Sequence, residues 1–490
     1  MSSPLSSYIT FAEMYNSSKA DSKIQLISNV KEQFDIINFN NACHTPILSV
    51  PFTAAINWHT YFAVCDGRGS NILEENNDYL IEETKTSIKH MLGIDQDSEV
   101  IFTYNATAGL QLASELIFNY IDQNQEYDNA DKNVFIHPLA HNSLRYPVCK
   151  YANDKDINLE PYCNLNKYFK NNQVNVVALP YIDNLIGLNH WSEHLATVKV
   201  NKIYKENSTR TVKEKFGWRP SHTATSGSEI PLYTILDACQ AMTEIMFESN
   251  QGAKSKQFSK ADAIVFSGHK MYSHHLGIVI IKKKFLHKNI KLNHKNLSVG
   301  GGSIERYENE QPIFKPNQAN TIQGGLKDNS AIFALGALLD SIHTYSYKYK
   351  AHQKRKKNLI YGFIEDIFRL APILTLTKTN LEHLPSNSIV SISTKYFPIQ
   401  DLYSYLGSLD QSLIGGGNIK KTSFMTRTGD CCVHYGCQKY NINNSLRFSF
   451  SIANTRQETK DCIAQIKAFL TYYDLFDLEN DTVKVPQKQV

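Results

Sequence analysis

"SEVIFTYNATAGLQLASELIFNYI", residues 98–121, holds a complete strand, turn and helix. Val100, Ile101 and Phe102 belong to a β-rich run, Asn105–Thr107 form a polar turn, and Leu110, Ala113, Leu116, Ile117 and Tyr120 then recur at helical spacing. The same grammar returns downstream. "NVFIHPLAHNSLRYPV" (133–148) reads as a strand followed by a polar loop, and "VNVVALPYIDNLIG" (174–187) as a continuous apolar run with a polar end. "PLYTILDACQAM" (231–242) and "DAIVFSGHKMY" (262–272) repeat the form, and "GIVIIKKKF" (277–285) closes the series with a strand and no obvious helix after it. Strands that are apolar on both faces and separated by helical stretches imply an α/β fold with a mostly parallel sheet covered by helices. In such sheets ligands gather at the carboxyl ends of the strands. The residues at those ends are the Asn105–Thr107 turn, His141, Asn184, Asp237 with Gln240, and the group Ser267–Lys270.

Bulk properties narrow the class. The chain has 490 residues, of which 42% are hydrophobic and 11% aromatic, enough for a substantial core. Its 51 basic and 47 acidic residues leave a net charge of +4, too mild a balance to argue for a nucleic-acid partner. Two short basic runs, Lys282–Lys284 and Lys354–Lys357, read as solvated faces. No apolar run approaches the roughly 18 residues needed to cross a membrane, and the N-terminus lacks the pattern of a secretory leader. Nine cysteines without small-scaffold spacing suit a reducing, cytoplasmic setting.

Residues 1–36 read as one or two amphipathic helices packing with a small domain, 37–340 as the large domain, 341–478 as a smaller α/β domain and 479–490 as a tail. The polar stretch 192–230 looks like an insertion or loop, and the glycine-rich, basic stretch 411–421 like a lid or a surface loop.

A strand-end aspartate is most often a cap, and a lone lysine there says little. Taken together, Asp237 and Lys270 at neighbouring strand ends suit pyridoxal phosphate: the lysine joins the aldehyde as a Schiff base, and the carboxylate keeps the pyridine nitrogen protonated. Backbone N–H groups at the start of the helix after Asn105, with the Thr107 hydroxyl, suit the phosphate dianion. A Walker-type glycine loop is absent from the sequence.

"NATAGL" (105–110), "LDACQA" (236–241), "SGHK" (267–270) and "MTRTGDCC" (425–432) together resemble the class V aminotransferase group of fold-type I pyridoxal phosphate enzymes, and within it the cysteine desulfurases. The resemblance runs from about residue 36 to 470. It implies that Lys270 carries the cofactor, that Ser267, His269, Ala106 and Thr107 bind its phosphate, and that Asp237 pairs with the pyridine nitrogen. It further implies that Gln240 and Asn184 hydrogen-bond the phenolic oxygen and that His141 stacks on the ring and acts in catalysis. The family is homodimeric, with a threonine crossing to the other subunit's phosphate. Thr321, in "NQANTIQGG", is the matching position, although the surrounding motif departs from the family's usual one.

In the desulfurases resembled here a reactive cysteine follows "RTG" on a loop entering the active site, and Cys432 falls at that position. Arg447, in "LRFSF", falls where the family keeps the arginine that binds the substrate carboxylate; a guanidinium fork suits a carboxylate. The C-terminal motif, with Gly300–Gly302, further resembles the desulfurase domain of molybdenum cofactor sulfurases. The implied activity is removal of sulfur from cysteine, leaving alanine and an enzyme persulfide destined for a sulfur-acceptor protein. Several alternatives stand open at this point. Cys431 competes with Cys432, and cysteines are often small buried hydrophobes. Cys431, Cys432, His434 and Cys437 could ligate a metal, although no second CxxC pair accompanies them and no metal is expected. The chain could also be another class V enzyme or an idle pyridoxal-fold binding protein.

Overall fold

The computed structural model describes residues 36–65, 71–94, 96–162, 173–196, 231–248, 257–286, 301–315, 318–377, 388–408 and 422–485. The expected N-terminal helices, the 411–421 stretch and residues 197–230 lie outside them. The chain starts with β1 (Ile36–Asn38), α1 (Ser49–Tyr61) and α2 (Ile72–Leu92). β2 (Ser98–Thr103), α3 (Ala106–Gln123), β3 (Asp131–Ile136), α4 (Asn142–Asp154), β4 (Asn158–Pro161), β5 (Gln173–Pro180), β6 (Leu232–Asp237), β7 (Ala263–Ser267) and β8 (Gly277–Lys282) follow.

These strands form one seven-stranded sheet in the order β2-β8-β7-β6-β5-β3-β4. Pairing is parallel from β7 to β4, while β8 runs antiparallel to both β7 and β2. The cause of that reversal is the connection between β7 and β8, residues 268–276, which is too short for a crossover helix. Lys270 sits in this connection, on a single helical turn over Gly268–Lys270. The first residue of β8 passes tightly against the turn after β2. A Cβ on Gly277 would lie 2.3 Å from the Asn105 carbonyl oxygen, so the two active-end turns can meet only because residue 277 has no side chain.

Alternation along each strand divides two cores. Val100, Phe102, Val177, Leu179, Leu236, Ile264 and Phe266 face one side with Ile81, Ile88 and Leu335. Ile101, Val176, Ala178, Ile235, Ala263 and Val265 face the other, against Leu110, Ala113, Leu116 and Leu144. Asn105 caps α3 by accepting the Ala108 N–H at 2.9 Å. Two readings of secondary structure need correction. The polar "loop" after β3 is α4, begun by His141, whose Nδ1 accepts the Ser143 N–H at 3.2 Å; Pro147 lies inside this helix and hid it. Residues 192–196 are likewise helical and not irregular.

The hairpin β9 (Ile304–Glu308) and β10 (Gln311–Phe314) leads to α5 (Asn329–Thr344) and α6 (Ser346–Arg369). Then come β11 (Thr375–Leu376), β12 (Ile389–Ser393), α7 (Ile399–Gly407), β13 (Ser423–Met425), β14 (Arg427–Thr428), α8 (His434–Tyr440), β15 (Ser445–Ser449) and α9 (Arg456–Tyr472). Strands β11-β12-β15-β14 make an antiparallel sheet. Its core joins Phe363, Ile367, Leu402, Phe448 and Ile466 to Ile37 and Phe39, since β1 pairs in parallel with β13.

The basic run at 354–357 is not a solvated face throughout. Lys356 is buried, and its ammonium donates to Glu244 at 2.6 Å and to Ser388 at 2.7 Å. The pair ties the segment after β6 to α6 and to the residue before β12, because a buried ammonium needs both an opposite charge and further acceptors.

Candidate active site

The floor of the site is built from the carboxyl ends of β5 and β6. Asp237 ends β6, is buried, and accepts the Cys239 N–H at 3.0 Å. Gln240, one turn on, donates to Asn184 Oδ1 at 2.5 Å and to the Ala42 carbonyl at 2.9 Å. Asn184 in turn donates to the Cys431 carbonyl at 2.7 Å. Arg447, 1% exposed on β15, donates to both oxygens of Asn184 at 2.7 and 2.9 Å and to Asn40 Oδ1 at 2.9 Å. Those acceptors are all amide oxygens, so the guanidinium charge is still available to an anion. Asn184 is therefore the point where the large sheet, the small sheet and the sulfur loop meet.

Lys270 and Asp237 act on the same neighbours. The Cys239 thiol is pushed up by burial and by Asp237 and drawn down by Lys270. His141 is lowered to about 4, first by burial and then by the positive charge of Lys270; Asp237 opposes this, and Arg427 and Arg447 add to it. One neutral imidazole thus lies within electrostatic reach of the lysine, the aspartate and both arginines.

At the other end of this floor, Ala106 and Thr107 occupy the first turn of α3, and the Thr107 hydroxyl meets that of Ser143 at 2.8 Å. Ser267 is fully buried and its side chain acts on the Cys239 thiol, while among the described residues His269 Nδ1 has no hydrogen-bonding partner. Thr321 is buried within the single chain. Its hydroxyl donates to the Lys315 carbonyl at 3.1 Å, and its carbonyl accepts from Ser303 at 2.7 Å.

The sulfur loop follows β14. Gly429, Cys431 and Cys432 all have positive φ, at 81°, 47° and 61°, and the latter two are L-residues in a region that disfavours them. The two cysteines sit in opposite settings. Cys431 packs among Leu139, Leu185, Ile186 and Val433, and burial raises its thiol. Cys432 is partly exposed, and Arg427 Nη2 donates to its sulfur at 3.1 Å. The Cys432 carbonyl accepts the Asn142 N–H at 2.8 Å, which ties the loop to the start of α4. Arg427 and Arg447 are register partners across β14 and β15. Among the described residues no group of three or more histidine, cysteine or acidic side chains is placed to hold a metal.

Sequence reasoning missed Arg427, Asn40 and Asn142. Arg427 lies inside "MTRTGDCC", and its spacing of five from Cys432 was the available signal. The two asparagines come from loops remote in sequence, and nothing local marks them.

Residues 231–461 match the family model for class V aminotransferases. Among curated proteins, the chain is 23% identical to a probable cysteine desulfurase of Borreliella burgdorferi, across 79% of this chain and 80% of that one. It is also 23% identical to a probable cysteine desulfurase of Mycoplasma genitalium, across 86% and 89%. Among solved structures it superimposes on the cysteine desulfurase of Thermococcus onnurineus NA1 in its apo form, with a TM-score of 0.67 and 16% identity, covering 92% of this chain and all of that one. The cysteine desulfurase CsdA of Escherichia coli gives 0.64 and 12% with the same coverage. The fold is that of fold-type I pyridoxal phosphate enzymes. Within that class, the chain is similar to the class V aminotransferases and, among these, to cysteine desulfurases.

Pyridoxal 5′-phosphate is the cofactor of that class, and the residues present fit it. Ser267, at the end of β7 and two residues before the unpartnered His269 Nδ1, pairs through Gly277 with Thr103, two residues before the cap of α3, as a phosphate site at that helix start requires. Asp237 and Lys270 both act on the buried Cys239 thiol, one raising and the other lowering it, so both charges bear on one small region, as a ring with one basic nitrogen and one aldehyde requires.

Proposed function

We propose that the protein is a pyridoxal phosphate-dependent cysteine desulfurase. The observation that carries this reading is Arg427 donating to Cys432 Sγ at 3.1 Å, with Arg447 next to it in register and His141 under the charges of Lys270, Asp237 and both arginines. The cofactor, when bound, supplies an electron-withdrawing ring.

The chain's own groups do the rest. Lys270 holds the cofactor, and its amine, once released, moves a proton at the substrate's α-carbon. Asp237 holds the ring nitrogen charged; Asn184 and Gln240 hold the phenolic oxygen; His141, neutral, packs on the ring face. Ser267, His269, Ala106 and Thr107 bind the phosphate, and Thr321 belongs to the neighbouring subunit's phosphate in a homodimer. Arg447 binds the carboxylate of free cysteine. Cys432, whose sulfur is held by Arg427, attacks the substrate sulfur. The S–S bond forms as the C–S bond breaks. The electron pair remains with the carbon, which takes a proton, and alanine leaves while Cys432 keeps the persulfide.

The domain division at about residue 340 belongs to the same reading, supported by the separate second core built from Phe363, Leu402, Phe448 and Ile466. So does a cytoplasmic enzyme that passes sulfur to an acceptor protein: the eight described cysteines are all free thiols, and no described helix is long and apolar enough to cross a membrane.

The test is to supply L-cysteine to the holoenzyme, quantify alanine, and map the persulfide by mass spectrometry. One alanine per transferred sulfur, with the persulfide on Cys432, is expected. Turnover of cysteine without a persulfide, or a cofactor-loaded protein inert toward cysteine, contradicts it.

A further inference from the structure

Three imidazoles gather beside the orphaned His269 nitrogen. The rings of His269 and His275 stack at 4.6 Å between centroids; His44 lies 5.4 Å from His269 and 5.1 Å from His275. They come from two segments, the turn before α1 and the β7–β8 connection. Thr45 locks these together by donating from both its N–H (3.1 Å) and its hydroxyl (2.9 Å) to the His269 carbonyl. His275 also lines a cleft with Thr103, Tyr104 and Ala108, which places this member of the array at the first turn of α3. His44 Nδ1 meets the Thr45 carbonyl at 2.6 Å, so that nitrogen carries the proton and Nε2 is the other ring atom.

The charges that act on His269 are all positive. Lys270, His275 and His44 all act on His269, and His44 acts on His275. Burial and these neighbours hold His269 down to about 3 and lower His275. Asp328 acts on His274, the residue before His275, and lines the same cleft with Lys327. The first turn of α3 brings only Ala106, Thr107 and Ala108, which are uncharged. Burial thus disfavours protons on His269 and His275, and an arriving dianion favours them.

We infer that His44 and His275 join His269 in a three-imidazole cradle for a phosphomonoester dianion, so that capture of the cofactor's phosphate takes up protons. The inference rests on the cofactor assignment, but neither His44 nor His275 is a residue to which the family resemblance gives a role. It makes cofactor retention weaken as pH rises, because each proton taken up on binding costs affinity once the surroundings hold fewer protons.

The test uses the full-length apoprotein and calorimetry in buffers of different ionisation enthalpy. Methyl phosphate is the first ligand, since its second ionisation lies near pH 6 and it cannot react with Lys270; pyridoxal 5′-phosphate is the second. Expected are net proton uptake with both ligands and a methyl phosphate Kd that rises about three- to tenfold per unit between pH 7 and 8.5. His44→Gln and His275→Gln should each weaken methyl phosphate several-fold and reduce the uptake. His275 is exposed, so that variant keeps the test valid if His44→Gln folds poorly. Unchanged affinity and proton uptake in His275→Gln, or no methyl phosphate binding by wild type that still takes the cofactor, overturns the inference. Failure of wild type to bind the cofactor at all marks failure of the cofactor assignment instead.

Discussion

The cofactor floor and the sulfur loop are built on opposite principles. Asp237, Gln240 and Asn184 are buried and come from the ends of adjacent parallel strands; Gln240 donates to Asn184 at 2.5 Å, and Asp237 accepts the Cys239 N–H at 3.0 Å. Gly429, Cys431 and Cys432 instead take three positive φ values within four residues. Their loop is tied down through its backbone, at the Cys431 and Cys432 carbonyls, while the Cys432 sulfur touches Arg427 on β14, the strand that leads into the loop. In the function proposed above, the floor stays fixed while a proton is shifted and the cysteine loop carries the sulfur. Strain in a loop and saturation in a floor are the corresponding physical solutions.

The largest expected effect comes from breaking that contrast at the thiol. Cys432→Ser should lower sulfur release from cysteine by at least about 10³-fold, since the nucleophile is gone, while Cys431→Ser, a change inside an apolar cluster, should keep the persulfide on Cys432. Alkylation by iodoacetamide, read peptide by peptide, sharpens the same point: Cys432 should react first in wild type and more slowly in Arg427→Gln, with Cys431 slow in both. A middle-sized effect is expected where floor and loop share a residue. Arg447→Lys keeps the charge but loses the fork that reaches Asn184 and Asn40; with a charged hydrogen bond worth about 1.5–3 kcal/mol, kcat/KM for cysteine should fall roughly 10- to 150-fold. The smallest effect concerns the floor's surroundings. Burial lowers His137 and His194 as well as His141 and His269, His141 and His194 to about 4. Their folded values lie below the unfolded 6.5, so the unfolded chain takes protons first as pH falls. Stability is then complete above pH 6.5 and lost toward pH 4, and the Tm of the apoprotein should drop by several degrees between pH 7 and 5.

Much of the floor was legible in sequence, for a physical reason. Strands buried on both faces must be apolar throughout, so β5, β6 and β7 stand out as runs, and the polar residues that end them are conspicuous. Asp237, Ser267 and Lys270 were found that way. The loop was legible only in register: "RTGDCC" placed two cysteines side by side, and only the fold shows that one faces Leu139 and Leu185 while the other faces Arg427. Patterning misled where context overrode it. Pro147 concealed a helix, and Lys356 passed for a surface charge until Glu244, 112 positions away, proved to be its partner. The array of His44, His269 and His275 was hidden for the same reason, since it exists only where two distant turns touch.

The central claim is that one amine at position 270 bonds to a cofactor held by the carboxylate at 237. Reduction of the yellow holoprotein with sodium borohydride, followed by proteolysis and mass spectrometry, tests it directly. The account expects the cofactor's mass on the peptide bearing Lys270, and no coloured or trapped species in Lys270→Ala. Cofactor fixed to a different lysine, or a wild-type protein that stays colourless and unmodified with pyridoxal 5′-phosphate in excess, would contradict it.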